Sequence, residues 1–456
     1  MLPMESSSGQ AVALVSAGVI AAGVGSNLLR KYLPETIRAS SALAADAVDV
    51  AVRAVTHFIV MPSEATKWDT VLLSAANFCA SVAKRFQDAG YTVQTLRIVT
   101  NPFGEYLNTS SEAAAVADMK RIESILQSQQ TKLGTRIRFA IGEARTVEEV
   151  ELVPALVKAA ADLANCCVNI PEGACGMPDP VMVAAAARCC ATLATQTPDG
   201  PGHTIGEGNF NFTANFNMPA GCPYFPAAYN TSAEGASFGI GLEYPDLLVA
   251  ALQPLPSTAS WGAKFDALRA AVAPHMAALD AICQAAAAAS SVRYAGIDTS
   301  AAPSKDAESL TTVCKLLGLS HFGAAGTLGV AQFLTRLFKS FGKAQGGELD
   351  LLGFSGFMLA CLEDAGLAKA AAANQFDITA LNSYSAVCGI GLDTVPVPGD
   401  TPIGKLEALM SDTGAMAFRL SKPLTVRLFP CPGLKAGEMT RFTSSDLCNC
   451  TVFAVP

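Results

Sequence analysis

From residue 48 onward, short apolar runs rich in β-branched residues alternate with longer stretches whose apolar positions recur every three or four residues. Residues 48–60 (VDVAVRAVTHFIV) predict a buried strand that ends at Pro62, and the stretch up to about Ala89 predicts a helix. Residues 91–99 (YTVQTLRIV) and 136–141 (RIRFAI) predict further strands, with a helix over 110–128 between them. Thr146 and Glu149 stand at capping-box spacing, where hydroxyl and carboxylate each satisfy an orphan amide at a helix start. A fourth strand is expected over 165–170 (NCCVNI), and Asp179-Pro180 then opens another helix by N-cap and N1 preference. This alternation calls for right-handed crossovers and a largely parallel sheet.

The middle of the chain reads differently. GNFNFTANF (208–216) alternates strictly, placing Phe210, Phe212 and Phe216 on one face and Asn209, Asn211, Thr213 and Asn215 on the other. The amide-bearing face must meet water, a cavity or a polar network. A Pro/Gly-rich loop and a strand at 236–242 follow, then an Ala-rich helix over 260–289 that contains Pro274. Strand–helix alternation returns with a strand near 292–297, a helix near 326–340, and the motif VCGIGLDTVPVPGDTP (387–402) ahead of another helix. No linker composition interrupts this run, so 47–456 is expected as one domain behind an extension over 1–46.

Hydrophobic residues make up 51% of the 456 and charged residues 15%, which suits a sheet buried on both faces. The formal net charge of -8, with Lys and Arg scattered, lacks the basic footprint that nucleic acid requires. Most of the fourteen cysteines sit in apolar runs, where a thiol behaves as a small hydrophobe. Four Asn-x-Ser/Thr sequons occur, at Asn108, Asn211, Asn230 and Asn449, but Asn211 lies within the alternating strand. A reducing, cytoplasmic setting is expected. Residues 11–29 (AVALVSAGVIAAGVGSNLL) are apolar but interrupted by Ser and Asn. They suit a core-packing or oligomer-contacting helix, with a weak membrane anchor or organelle-targeting extension as the alternatives. A homo-oligomer is expected.

Several chemistries fail on spacing. There is no Cys-x-x-Cys, the four histidines are far apart, and no metal site is expected. Gly389-Ile-Gly391 does not continue as a dinucleotide loop, and in Gly353-Phe-Ser355-Gly356 the last glycine comes one place early for a nucleophile elbow. The vicinal Cys166-Cys167 pair has no cation nearby in sequence to favour a thiolate. Asp298 and Asp393 stand out, each following an apolar strand (YAGI; VCGIGL) and each followed by small residues and Pro. Such carboxylates at the carboxy ends of strands suit acid–base or substrate-orienting roles, or plain turn capping. Arg53 and Arg97 lie inside apolar strands, so each needs a carboxylate such as Asp298, Asp393 or Glu243, or an anionic ligand.

The run YSAVCGIGLDTVPVPGD (384–400) resembles the most characteristic segment of the domain-of-unknown-function 711 family. VRAVTHFI (52–59), VQTLRIVTNPF (93–103), YFPAAYN (224–230), GIDTSAAPS (296–304), FGAAGTLG (322–329), GFSGFMLACLED (353–364) and KPLTVRLFPCPG (422–433) resemble other family segments, in the same order. The resemblance implies an α/β barrel of the glycyl-radical-enzyme-like type, roughly ten strands with helices outside. It implies no reaction and no known cofactor. Arg53, Arg97, Thr100, Asn101, Glu243, Asp298, Ser355, Glu363, Asp364, Cys388 and Asp393 match its recurring polar set, while Asn230 stands where histidine is more usual. Glycyl-radical chemistry is rejected, because Arg293-Tyr-Ala-Gly296 is followed by Ile297 and comes too early. The expected site is therefore Asp298, Asp393 and Glu243 as catalytic groups, with Arg53, Arg97, Asn101, Ser355 and Asn230 binding a small polar or anionic metabolite. A binding or regulatory protein without turnover and a structural, membrane-tethered scaffold are the rival expectations.

Overall fold

The computed structural model describes residues 50–456 apart from Pro201. The apolar segment 11–29, with the contact or anchoring role expected of it, lies outside these residues. Nine strands make one sheet: β1 (Ala51–Phe58), β2 (Thr92–Val99), β3 (Ile137–Ala144), β4 (Asn165–Asn169), β5 (Phe212–Phe216), β6 (Ser237–Glu243), β7 (Arg293–Ala301), β8 (Gly391–Pro398) and β9 (Leu424–Cys431). Their order is β7-β6-β1-β2-β3-β4-β5-β9-β8. β1 to β5 are parallel neighbours, as are β6 with β7 and β8 with β9, while β1–β6 and β5–β9 run antiparallel. The protein is thus α/β with a mixed sheet.

The helices sit where the 3.6-residue periodicity places them. α1 (Trp68–Asp88) follows β1 and buries Trp68, Leu72, Ala75, Cys79, Val82 and Phe86, one face at helical spacing. α2 (Glu112–Leu133) is capped by Ser111, and α3 (Val147–Ala159) by Thr146, whose hydroxyl accepts from Glu149 N. The Glu149 carboxylate reaches one residue further back than a strict capping box, to Arg145 N at 2.6 Å. α4 (Pro180–Ala194) starts under Asp179, which accepts from Val181 N and Met182 N. α5 (Pro245–Leu252), α6 (Trp261–Ala288), α7 (Leu310–Leu316), α8 (Thr327–Lys339), α9 (Ala365–Ala372), α10 (Ile378–Tyr384) and α11 (Ile403–Leu420) complete the described helices. None is long and apolar enough to cross a membrane.

Three strand boundaries differ from the sequence reading. Asp298 lies within β7 and Asp393 is the third residue of β8, so neither follows its strand. The alternation over 208–216 starts late: Glu207–Asn211 form a 3-10 turn, and only Phe212–Phe216 extend as a strand. Phe210 thereby leaves the core face shared by Phe212 and Phe216.

The sheet curls. Glu363 contacts arginines on both β1 and β9, strands with four others between them in sheet order. The edge strands β7 and β8 are each bridged by a single residue pair to one crossing segment, Ile297 with Leu351 and Asp393 with Ala360. This irregular crossing stands where a regular tenth strand was expected. Helices cover the outside; the inside holds a column of amides, with Asn211 Nδ2 donating to Asn165 (3.2 Å) and Asn215 Nδ2 to Asn169 (3.0 Å). A small apolar cluster of Phe58, Val99, Ala140 and Ala228 packs together at the carboxy ends of β1 and β2 and the middle of β3.

Candidate functional site

A cavity of about 270 Å³ opens beside the amino-terminal ends of β1 to β5. Arg53, Gln94, Arg97, Arg138, Asn165, Thr213, Glu243, Asp393 and Arg427 line it from eight of the nine strands or their ends. The sequence alone points to a site at the carboxy ends of the strands. That holds only for β6 and β7, which run opposite to β1; at the carboxy ends of β1 and β2 the apolar cluster packs instead.

One wall is a continuous chain of ion pairs. Arg53 Nη1 meets Glu243 at 2.5 Å and Arg53 Nη2 meets Glu363 at 3.2 Å. The other oxygen of Glu363 takes Arg427 Nη2 at 2.5 Å, and Arg427 Nε donates to Asp393 at 2.6 Å. Gln94 Nε2 completes Glu243 at 2.9 Å. Backbone irregularity aims these groups inward. The β1–β6 register shifts at Arg53, and the β8–β9 register shifts between Leu392 and Val395. There Thr394 adopts φ 46° and its hydroxyl accepts from Leu362 N, which ties the crossing segment to the bulge. Gly391, at φ 104°, starts that strand close to β9, where an added Cβ would lie 2.3 Å from the Thr425 carbonyl.

Burial lowers the pKa of Arg427, but Asp393 and Glu363 outweigh it and hold the guanidinium above its ordinary value. Arg53 is likewise raised, by Glu363 and Glu243 against burial. Burial pushes Glu363 above the usual carboxylate range; Arg427 opposes this and the nearby Asp393 adds to it. Each buried charge on this wall has an opposite neighbour, which is the condition for keeping it there.

The part of the lining on β2 and β3 is different. Arg97 lies over the Phe225 ring at 4.9 Å, and its Nη1 donates to the Pro223 carbonyl at 3.3 Å and its Nε to the Thr95 hydroxyl at 3.1 Å. No carboxylate pairs with it among the described residues. Burial, then repulsion from Arg53 and Arg138, lowers its pKa to about 9. Asp446, on the carboxy-terminal loop, serves the other cations here: Arg136 grips it through two nitrogens at 3.0 and 2.9 Å, and Arg138 Nη1 adds a third contact at 3.1 Å. Burial alone would raise this acid, but Arg136 and Arg138 hold it at about 2. Arg138 and Arg427 also stack on Phe210, the residue displaced from the core face.

Asp393, Glu243, Arg53 and Arg97 therefore come together around the cavity; Asp298, Ser355, Asn101 and Asn230 do not line it. Asp298 is a fastener. One oxygen accepts from Ser300 N (2.9 Å), Ser300 Oγ (2.7 Å) and Ser355 N (3.0 Å), and the other from Phe354 N (2.7 Å). Burial raises its pKa while those donors pull it down. It leaves no room at Gly353, where a Cβ would approach Asp298 Oδ2 to 2.4 Å. The Ser355 hydroxyl is spent on Leu352 O and Thr299 N. Asn101 joins Met61 N to Glu105, and Asn230 donates to the Ile59 and Gly235 carbonyls, both beyond the carboxy ends of β1 and β2.

Residues that the sequence reading left out of the site include Arg427, Arg138, Glu363, Arg136 and Asp446. Arg138 in RIRFAI and Arg427 in TVRLFP carry the signal that singled out Arg53 and Arg97, a guanidinium within an apolar strand. Asp446 has no comparable signal. Cys166 and Cys167 are fully buried and burial pushes both thiols well up, so they act as packing groups. No three His, Cys, Asp or Glu side chains among the described residues are grouped to hold a metal ion.

Residues 45–444 match the model of the family described as Uncharacterised ACR (DUF711). A UPF0210 protein of Thermoanaerobacter sp. (strain X514) is 29% identical over 228 residues, 50% of each chain. UPF0210 proteins of Pyrobaculum arsenaticum and Pyrobaculum islandicum are 31% and 32% identical over 229 and 233 residues, again 50% of this chain and 50% and 51% of theirs. The aligned stretch thus spans about half the length of these curated relatives. With the family model running from before β1 to the loop that carries Asp446, the chain belongs to the Uncharacterised ACR (DUF711) family.

Proposed function

We propose that the protein binds a small anionic metabolite in this cavity and acts on it, with Arg97 as counter-ion to the ligand's acid group. One observation carries the reading. Arg97 is the cavity guanidinium for which no carboxylate partner is present among the described residues, whereas Arg53, Arg136, Arg138 and Arg427 each contact one. A partly buried cation of this kind is costly to keep unless something else neutralises it. Guanidinium geometry favours a planar carboxylate or a phosphoryl group. Phe225 beneath it and Phe354, Met358 and Ile390 around the cavity provide apolar surface for the rest of a small molecule. Glu363, with its raised pKa, and Asp393 beside it are the groups placed for proton transfer.

Binding without turnover is the second reading. It is favoured by the engagement of Glu243, Glu363 and Asp393 with guanidiniums, which leaves each less free to act as a base. A thermal-shift screen against small organic acids and phosphate esters tests both. A ligand at 100 times its Kd stabilises the native state by about 2.7 kcal/mol. Hits should lose their shift in Arg97→Gln, and incubation of a hit with the wild type separates turnover from binding by the presence of product. Acids that stabilise wild type and Arg97→Gln equally would remove Arg97 from the role.

A further inference from the structure

Another cavity, of about 290 Å³, is lined by α8, by the 386–389 segment between α10 and β8, and by the residues just before β9. Its lining carries three cations, Arg336, Lys339 and Lys422, and no aspartate or glutamate. None of the three makes an ion pair with a carboxylate among the described residues. We infer that this cavity is a separate anion site, one that takes the phosphoryl group of a small ligand. Phe354 lines this cavity and the Arg97 cavity alike, but the charged groups of the two are different residues. The assignment therefore does not depend on the reading of Arg97.

Lys422 is the fixed member of the set. Its Nζ donates to the Ser385 carbonyl at 2.8 Å and to the Cys388 carbonyl at 2.5 Å, which leaves one of its three N–H donors over. Burial lowers its pKa; Cys388 opposes this and Lys339 adds to it, so the two ammonium groups lie within each other's field. Thr335 is buried, and its hydroxyl accepts from Phe357 N at 3.2 Å, which leaves the O–H to donate. The fold accounts for part of this charge. Arg336 and Lys339 stand in the last turn of α8, where the helix dipole favours cations, and Lys422 serves the end of α10 in the same way. Each helix end is equivalent to roughly half a negative charge, so two ends offset about one of the three positive charges. About two remain. A phosphate monoester carries about -1.5 to -2 at neutral pH, with three acceptor oxygens, and matches that remainder better than a single carboxylate does. Phe354 and Val387 add apolar surface to the lining for an organic body.

Isothermal titration of the full chain at fixed ionic strength tests this, with inorganic phosphate, methyl phosphate, phenyl phosphate, acetate and benzoate as probes. Arg97→Gln is the background, because the Arg97 cavity is itself proposed to take an acid. On it, at least one phosphate probe should bind tenfold or more tightly than either carboxylate. Adding Arg336→Gln and Lys339→Gln, both at exposed positions, should weaken that binding tenfold or more. Lys422 stays in place, since it holds two carbonyls of the fold. Should the background fail to fold, the same pair in the wild type should remove one bound phosphate per chain. Inorganic phosphate that binds as tightly as the esters identifies free phosphate as the ligand, and a tenfold preference for an ester identifies an organic phosphate; either upholds the site. Carboxylates that match the best phosphate probe, phosphate binding unchanged by the pair, or no phosphate binding at all would overturn it.

Discussion

Arg427 on β9 and Arg97 on β2, with three strands between them in the sheet order, line the same cavity, and their surroundings are opposite in kind. Arg427 is buried, donates to Asp393 and Glu363, and has its charge reinforced by both. Arg97 donates only to a carbonyl and a hydroxyl, and lies on an aromatic ring within the fields of Arg53 and Arg138. The first arrangement is complete within the protein. The second has no carboxylate among the described residues, which is the gap the proposed anionic ligand would fill. Burial of a charged side chain in an apolar strand is therefore not by itself a sign of function; the partner list decides.

Of the substitutions that test this contrast, Arg427→Gln carries the largest effect. It leaves Asp393 without its guanidinium and Glu363 with only Arg53, in a place where both acids are almost fully buried. Breaking one side of such a pair costs roughly 3–5 kcal/mol. Chemical denaturation at neutral pH should show the loss, and the deficit should narrow at mildly acidic pH, where protonation of Glu363, already raised by burial, relieves its stranded charge. A loss below about 1 kcal/mol would mean that the ion-pair wall is solvated and that the comparison has no basis.

Asp446 gives a smaller, pH-dependent test elsewhere in the lining. Its folded-state pKa of about 2 lies below the ordinary 3.8, so the ion pairs with Arg136 and Arg138 stabilise the protein above the unfolded value. That contribution fades as pH falls through 4 towards 2. At about 1.4 kcal/mol per unit it amounts to about 2 kcal/mol near neutrality. Asp446→Asn should therefore be less stable than wild type by that amount at pH 7 and by nearly nothing at pH 2. An equal deficit at both values would assign the loss to packing of the loop and not to its charge.

Much of this arrangement was readable from the chain. Strand–helix alternation located β1 to β4, and the criterion of a guanidinium inside an apolar strand found Arg53 and Arg97. The same criterion applied to 136–141 and 422–433 reaches Arg138 and Arg427. Asp298 and Asp393 mark the limit of local pattern. Both follow an apolar stretch and precede small residues, yet one is tied to backbone amides of its own neighbourhood and of the 353–356 turn, while the other is turned by a bulge onto Arg427. Which outcome a carboxylate meets depends on a segment more than fifty residues away for Asp298 and on a neighbouring strand for Asp393. Phe210 shows the same limit: strict alternation is a property of sequence, but the 3-10 turn that ends it at Asn211 depends on Glu207 gathering the amides of Thr443 and Ser444 from the far end of the chain.

The smallest expected effect is the most informative. Arg97→Gln in the ligand-free protein removes a cation that repels Arg53 and Arg138 and that no carboxylate holds. It also removes the bonds from Arg97 to the Pro223 carbonyl and the Thr95 hydroxyl, each worth about 1 kcal/mol net, and a glutamine amide can restore one of them. Relief of repulsion and loss of hydrogen bonding oppose each other, so stability should stay within about 1 kcal/mol of wild type, in either direction. Unfolding midpoints of this variant and of Arg427→Gln, measured side by side, separate an arginine kept for the fold from one kept for a visitor. A deficit for Arg97→Gln as large as that for Arg427→Gln would show that the fold itself supplies a counter-charge, and the cavity would lose its claim to an anion.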